Sequence, residues 1–124
     1  MRSNNTRLQA YRRGRWAERA ASVWLRLKGY RILTRGYRTP AGEIDLIARK
    51  GRLVIFVEVK ARADLDSAQA AIGRRQRQRI RQAAAIFLQR NSKLSTCDCR
   101  FDAILITPNS WPRHIGDAWR DSRD

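Results

Sequence analysis

A chain of 124 residues has room for one domain, and a 43% apolar content excludes wholesale disorder. Against 11 Asp and Glu stand 27 Lys and Arg, a formal net charge of +16, which points to a polyanionic partner held through counterion release. No apolar run reaches the ~18 residues of a membrane span, and no apolar stretch follows the basic amino terminus as a secretory signal requires.

The expectation is therefore one domain over residues 1–124, off the membrane and in the cytoplasm, with residues 1–6 and 120–124 as mobile tails. Cys97 and Cys99 form a CxC pair. A disulfide over two residues is strained and zinc needs about four ligands, so both read as reduced thiols.

In chain order, the spacing predicts a helix over residues 7–28. Ala17, Ala20, Ala21, Trp24, Leu25 and Leu27 form its apolar stripe, arginines surround it, and Gly29 stops it. A first strand follows over 30–38, ended by Pro40. Strands over 42–49 and 52–60 flank a Lys50-Gly51 turn, the clearest hairpin in the chain. Residues 61–72 are small and polar and read as a loop. Helical periodicity returns over 73–90, with Ile80, Ala83, Ala84, Phe87 and Leu88 inward and Arg74, Arg77 and Arg81 on one face. A fourth strand is predicted over 101–107, and Pro108 and Pro112 bracket a turn. The order is that of an α/β fold, one mixed sheet with flanking helices.

Chemistry concentrates in the hairpin. If Lys50-Gly51 is a two-residue turn, Asp45 opposes Phe56 and Glu43 opposes Glu58, so Glu43, Asp45, Glu58 and Lys60 project from one side of the sheet. A four-residue loop with the same centre keeps that result, and a three-residue loop breaks it. Both strands are otherwise apolar, and carboxylates there are costly unless paired, protonated or bound to a cation. Clustered acids raise each other's pKa, and a divalent ion relieves the repulsion. Oxygen donors of this kind suit Mg²⁺ or Mn²⁺. The chain has only three glutamates, two of them in this hairpin, and only four lysines, one of them Lys60. An amine there can orient or deprotonate water, or steady charge on a phosphate.

Plainer readings stand beside these. Glu58 and Lys60 could be a same-face ion pair, Asp45 a surface acid near a turn, and Glu18 a solvated side chain. Gly14, one turn before Glu18, would let the helix approach the sheet and aim Glu18 inward. Asp102 is expected to pair with a neighbouring arginine. His114 is the only histidine, which excludes a histidine-rich metal site. The four tryptophans read as core and lid packing rather than as base-stacking platforms.

The spacing of Asp45 and Glu58-x-Lys60 resembles the D…(D/E)xK signature of restriction-endonuclease-like, PD-(D/E)XK, nucleases, and a first helix bearing Glu18 is similar to that of archaeal Holliday-junction resolvases. Over most of the chain, Gly42-Glu-Ile-Asp-Leu-Ile-Ala, Phe56-Val-Glu-Val-Lys, Arg100-Phe-Asp and His114-Ile-x-Asp-Ala-Trp resemble the YraN-type family of small uncharacterised bacterial proteins. The resemblance implies a restriction-endonuclease-like α-β-β-β-α-β core. It also implies that Asp45, Glu58 and the Val59 main-chain carbonyl hold the metal, that Glu18 supports it through water, and that Lys60 contacts the attacking water. Glu43 and Asp102 are supporting positions.

Two functions follow as expectations. One is a Mg²⁺- or Mn²⁺-dependent endonuclease hydrolysing DNA, in branched or repair intermediates, with Arg12, Arg13, Arg15, Arg74, Arg75, Arg77 and Arg81 seating the backbone. The alternative is a catalytically silent nucleic-acid-binding protein, for which net charge alone suffices. A two-fold homodimer would suit a two-stranded substrate, with the segment 101–119 as its place.

Overall fold

The computed structural model describes residues 2–61 and 73–119, giving residues 2–13 as backbone only. Helix α1 (Arg2–Leu27) precedes strands β1 (Arg31–Thr39), β2 (Gly42–Lys50) and β3 (Leu53–Ala61). Helix α2 (Arg74–Arg90), a 3₁₀ turn (Ser92–Leu94), β4 (Asp98–Ile106) and β5 (Arg113–Ile115) follow. The expected α-β-β-β-α-β order is present. The expected loop at 61–72 lies outside the described residues except for Ala61, which ends β3, and residues 120–124 lie outside them too.

Helix α1 ends as its sequence dictates. Gly29 takes φ +94, a region open to glycine, and lets its N–H reach the Arg26 carbonyl at 3.0 Å while the Tyr30 N–H reaches that of Leu25 at 2.9 Å. The helix begins at Arg2, ahead of the expected Arg7.

The five strands lie in sequence order, β1-β2-β3-β4-β5. Neighbours are antiparallel except β3 and β4, which run parallel because α2 crosses over between them. Ala17, Ala21 and Leu25 of α1 pack on one face with Leu46, Ala48, Ile55, Val57, Val59 and Ile104. Ile80, Ala83, Ala84 and Phe87 of α2 pack on the other with Ile44, Ile47, Val54, Phe56 and Leu105. The α1 stripe is narrower than expected, for Leu27 is 76% exposed and Trp24 half-buried.

Three strand expectations need correction. The hairpin turn is Gly51-Arg52, one residue later than expected. Gly51 takes φ +60, and Lys50 pairs with Leu53. Ile47, not Asp45, therefore opposes Phe56. The shift is an even number of residues, so the residues paired in the β2–β3 ladder keep their expected faces. Strand β4 starts at Asp98 rather than 101, pairing with Leu53, and the short β5 had no forecast.

Gly42 fixes how closely α2 approaches β2. A Cβ there would sit 2.2 Å from the Arg79 carbonyl oxygen. Gly42→Ala should therefore push α2 off the sheet and cost about 1–3 kcal/mol. Urea unfolding measures this, and an unchanged midpoint would show that α2 moves freely.

Candidate metal and phosphate site

The ladder between β2 and β3 closes at Leu46 and Val57, and Asp45 is the next residue out. There the strict alternation of β2 breaks. Leu46 packs on the α1 face, yet Ile44, two residues away, packs on the α2 face. In place of a backbone partner, the Val59 N–H donates to Asp45 Oδ2 at 2.8 Å. The hairpin thus opens into a cleft with a carboxylate wedged at its mouth.

Glu58 lies across that cleft, 5% exposed. Its Oε1 accepts from Gln76 Nε2 of α2 at 2.6 Å and lies 3.2 Å from Lys60 Nζ. The negative charge of Asp45 beside Glu58 disfavours ionisation of Glu58. Burial first, and Asp45 second, push Glu58 up to about 8, against the pull of Lys60. Burial also raises Asp45, while the Val59 N–H and Lys60 hold it back.

Glu18 belongs to the same neighbourhood. It lines a cavity of about 290 Å³ with Asp45, Glu43, Arg15, Arg38 and Gly14, and burial first, then Asp45, raise its pKa. The reading of Glu18 as an inward acid describes its position better than that of a solvated one. Glu43 does not enter the cleft. Its side chain is 64% exposed and sits 3.6 Å from Arg38.

Of the arginines, Arg15 lines the Glu18 cavity. Arg74 and Arg75, with Arg79, line a second cavity of about 510 Å³ on the other side of Glu43. Arg77 is exposed and Arg81 half-buried, and neither lines these cavities. The side chains of Arg12 and Arg13 lie outside the described residues.

Asp102 stands apart from the cleft. It is fully buried and accepts from Arg100 Nε at 2.8 Å, Arg100 Nη2 at 2.9 Å, His114 Nε2 at 2.7 Å and the Asp117 N–H at 2.9 Å. The arginine pairing expected of Asp102 is present. Lys28 Nζ donates to His114 Nδ1 at 2.6 Å, so the His114 proton sits on Nε2, toward Asp102.

Trp119 is a core residue, stacked on Phe101 at 5.7 Å. Trp16 and Trp111, expected as packing, are 59% and 80% exposed. Cys97 and Cys99 are free.

Gln76 is the site residue that sequence reasoning missed. A hint was present, for Gly42 marks a close approach to β2 and Gln76 lies one helical turn before Arg79, which meets it.

The carboxylates of Asp45 and Glu58 are donors that suit a hard divalent cation, and Glu18 lines the same cavity as Asp45. Among the described residues no three acidic, imidazole or thiol side chains close a ligand set by themselves. Such a cation would thus need further oxygens beside those of Asp45 and Glu58, from main chain or water.

The raised Glu58 pKa also sets a pH dependence. Its contribution to stability is whole below about 4.5 and is lost as pH rises through about 8, because the fold favours the protonated acid. Mg²⁺ should oppose that loss, so thermal melts with and without millimolar Mg²⁺ should diverge most above pH 8. Superimposable melts across the range would contradict the cation site.

Residues 17–106 match the model of a family described as uncharacterised protein family UPF0102. A UPF0102 protein of Paramagnetospirillum magneticum is 55% identical over 115 residues, covering 90% of this chain and 89% of that protein. One from Parvibaculum lavamentivorans is 52% identical over 115 residues, covering 93% and 86% respectively. One from Maricaulis maris is 50% identical over 113 residues, covering 91% and 89%. Among the described residues no helix is long and apolar enough to cross a membrane.

Proposed function

The chain belongs to the uncharacterised protein family UPF0102, the YraN-type group, and from its cleft we propose that it is a Mg²⁺- or Mn²⁺-dependent endonuclease acting on DNA in the cytoplasm. The observation that carries this reading is half-buried Asp45 set beside buried Glu58, whose ionisation it opposes, with Lys60 Nζ 3.2 Å from Glu58. An apolar sheet keeps two such acids together at a cost, and a cation removes that cost. The arrangement supports a place among restriction-endonuclease-like nucleases, with a likeness to archaeal resolvases.

When bound, the cation supplies a Lewis acid for a phosphate ester and lowers the pKa of nearby water. Asp45 and Glu58 would hold it, with the Val59 carbonyl, and Glu18 would support it through water. Lys60, 15% exposed at its side chain, would orient the attacking water and balance charge on the phosphate. Gln76 keeps Glu58 turned into the cleft. Arg15 on one flank, with Arg74 and Arg75 on the other, would seat the backbone to either side without reading bases. A two-fold homodimer would place two such clefts on a branched or repair intermediate.

The test is a cleavage screen over linear, single-stranded, flapped and four-way DNA with Mn²⁺. The wild-type chain should cut at least one substrate, and Glu58→Ala and Asp45→Ala none. No cleavage anywhere, or cleavage surviving both substitutions, would overturn the assignment.

One observation favours the silent binder instead: Glu58 Oε1 already has two donors, Gln76 and Lys60. Tight, salt-sensitive DNA binding without any Mg²⁺-dependent stabilisation would select that reading.

A further inference from the structure

Helix α1 has two apolar faces. Ala17, Ala21 and Leu25, 1%, 0% and 0% exposed, meet the sheet. Trp16, Val23 and Leu27, 59%, 54% and 76% exposed, face away from it, with half-buried Ala20 between them. At about 100° per residue, these four fall within roughly 60° of the circumference, about 130° from the centre of the buried face. Trp111, 80% exposed, packs at a tilt against Trp24 with ring centroids 5.8 Å apart and extends the strip on one side. Among the described residues, every exposed large apolar side chain belongs to this patch.

The other side of the strip carries Arg19 and Arg26, both exposed and seven residues apart. Neither pairs with a carboxylate among the described residues.

The four-three-four spacing of Trp16, Ala20, Val23 and Leu27 is that of a helix–helix seam. Lipid binding needs a broader apolar face than this narrow one. Residues flanking such a seam meet charged residues of the facing helix, so Arg19 and Arg26 select acids there. A second copy of α1 cannot supply them. The one acid of α1, Glu18, lines the Asp45 cavity.

We propose that the outer face of α1, from Trp16 to Leu27, docks an acidic amphipathic helix of another protein. The seam lies on the helix face turned away from the sheet, so the partner and a nucleic acid at the cleft can be held together.

The test titrates full-length protein into a fluorescently labelled synthetic helix with a leucine seam flanked by glutamates. The same peptide with lysines in place of glutamates serves as control. The acidic peptide should bind, and the lysine peptide should bind at least about tenfold more weakly. Leu27→Asp should weaken the acidic complex at least about tenfold. Arg19→Glu with Arg26→Glu should reverse the preference toward the lysine peptide. These side chains are exposed, and an unchanged circular dichroism spectrum checks the fold.

Equal binding of both peptides, or an acidic complex indifferent to Leu27→Asp, would overturn the proposal. So would a protein dimer that Leu27→Asp dissociates, which would assign the seam to a second copy. Binding of phosphatidylglycerol vesicles or of duplex DNA that Leu27→Asp abolishes would assign it to lipid or nucleic acid.

Discussion

Glu58→Gln is expected to separate stability from activity in opposite directions. The amide keeps the shape of the side chain and can still hydrogen-bond to Gln76, but it cannot ionise and offers a cation a poor ligand. Mn²⁺-dependent cleavage should fall by about a thousandfold or more. Stability without divalent ions should rise relative to wild type as pH passes about 8, where Glu58 would otherwise carry a buried charge. Below about 4.5, where Glu58 is protonated in both folded and unfolded chains, the two proteins should unfold alike. Turnover assays on a cleaved substrate and urea unfolding at two pH values check both halves. A Glu58→Gln protein that cuts normally, or that is less stable than wild type at high pH, would contradict the account.

Asp102→Ala is the largest stability change expected. It removes the acceptor of four hydrogen bonds and leaves Arg100 and His114 facing an emptied site. Breaking a buried pair from one side costs about 3–5 kcal/mol, or about 10–20 °C in Tm for a chain of this size. Burial alone would raise the Asp102 pKa, but its donors outweigh burial and hold it down at about 2. Its contribution is therefore present above about 3.8 and lost as pH falls through about 2. Acid unfolding of the wild type should show this loss and Asp102→Ala should not. A Tm within a few degrees of wild type would place the anchoring of β5 elsewhere.

The hairpin was legible because its signals are local. Gly51 marks the turn, and carboxylates stand out in two apolar strands. Even the displaced turn left the faces of the paired residues 46–50 and 53–57 intact, since the register moved by an even number of residues.

What could not be read depends on distant packing. The break at Asp45 appears only once Ile44 joins the α2 side while Leu46 stays on the α1 side. Alternation rules assume an unbroken ladder and could not show it. Gln76 reaches Glu58, 18 residues away in sequence, because Gly42 admits the α2 backbone at Arg79. The periodicity of α1 merged Leu25 and Leu27 into one stripe, whereas the structure buries the first and exposes the second. Three residues of β5 carry too little pattern to announce a strand.

Calorimetric titration of Mn²⁺ into the metal-free protein near neutral pH tests the central claim most directly. A single saturable site is expected, with buffer-dependent heat from the proton that Glu58 releases. It should be absent in Asp45→Ala and Glu58→Gln. Binding that persists unchanged in both variants, or no binding by the wild-type protein, would contradict a cation site built on these two acids.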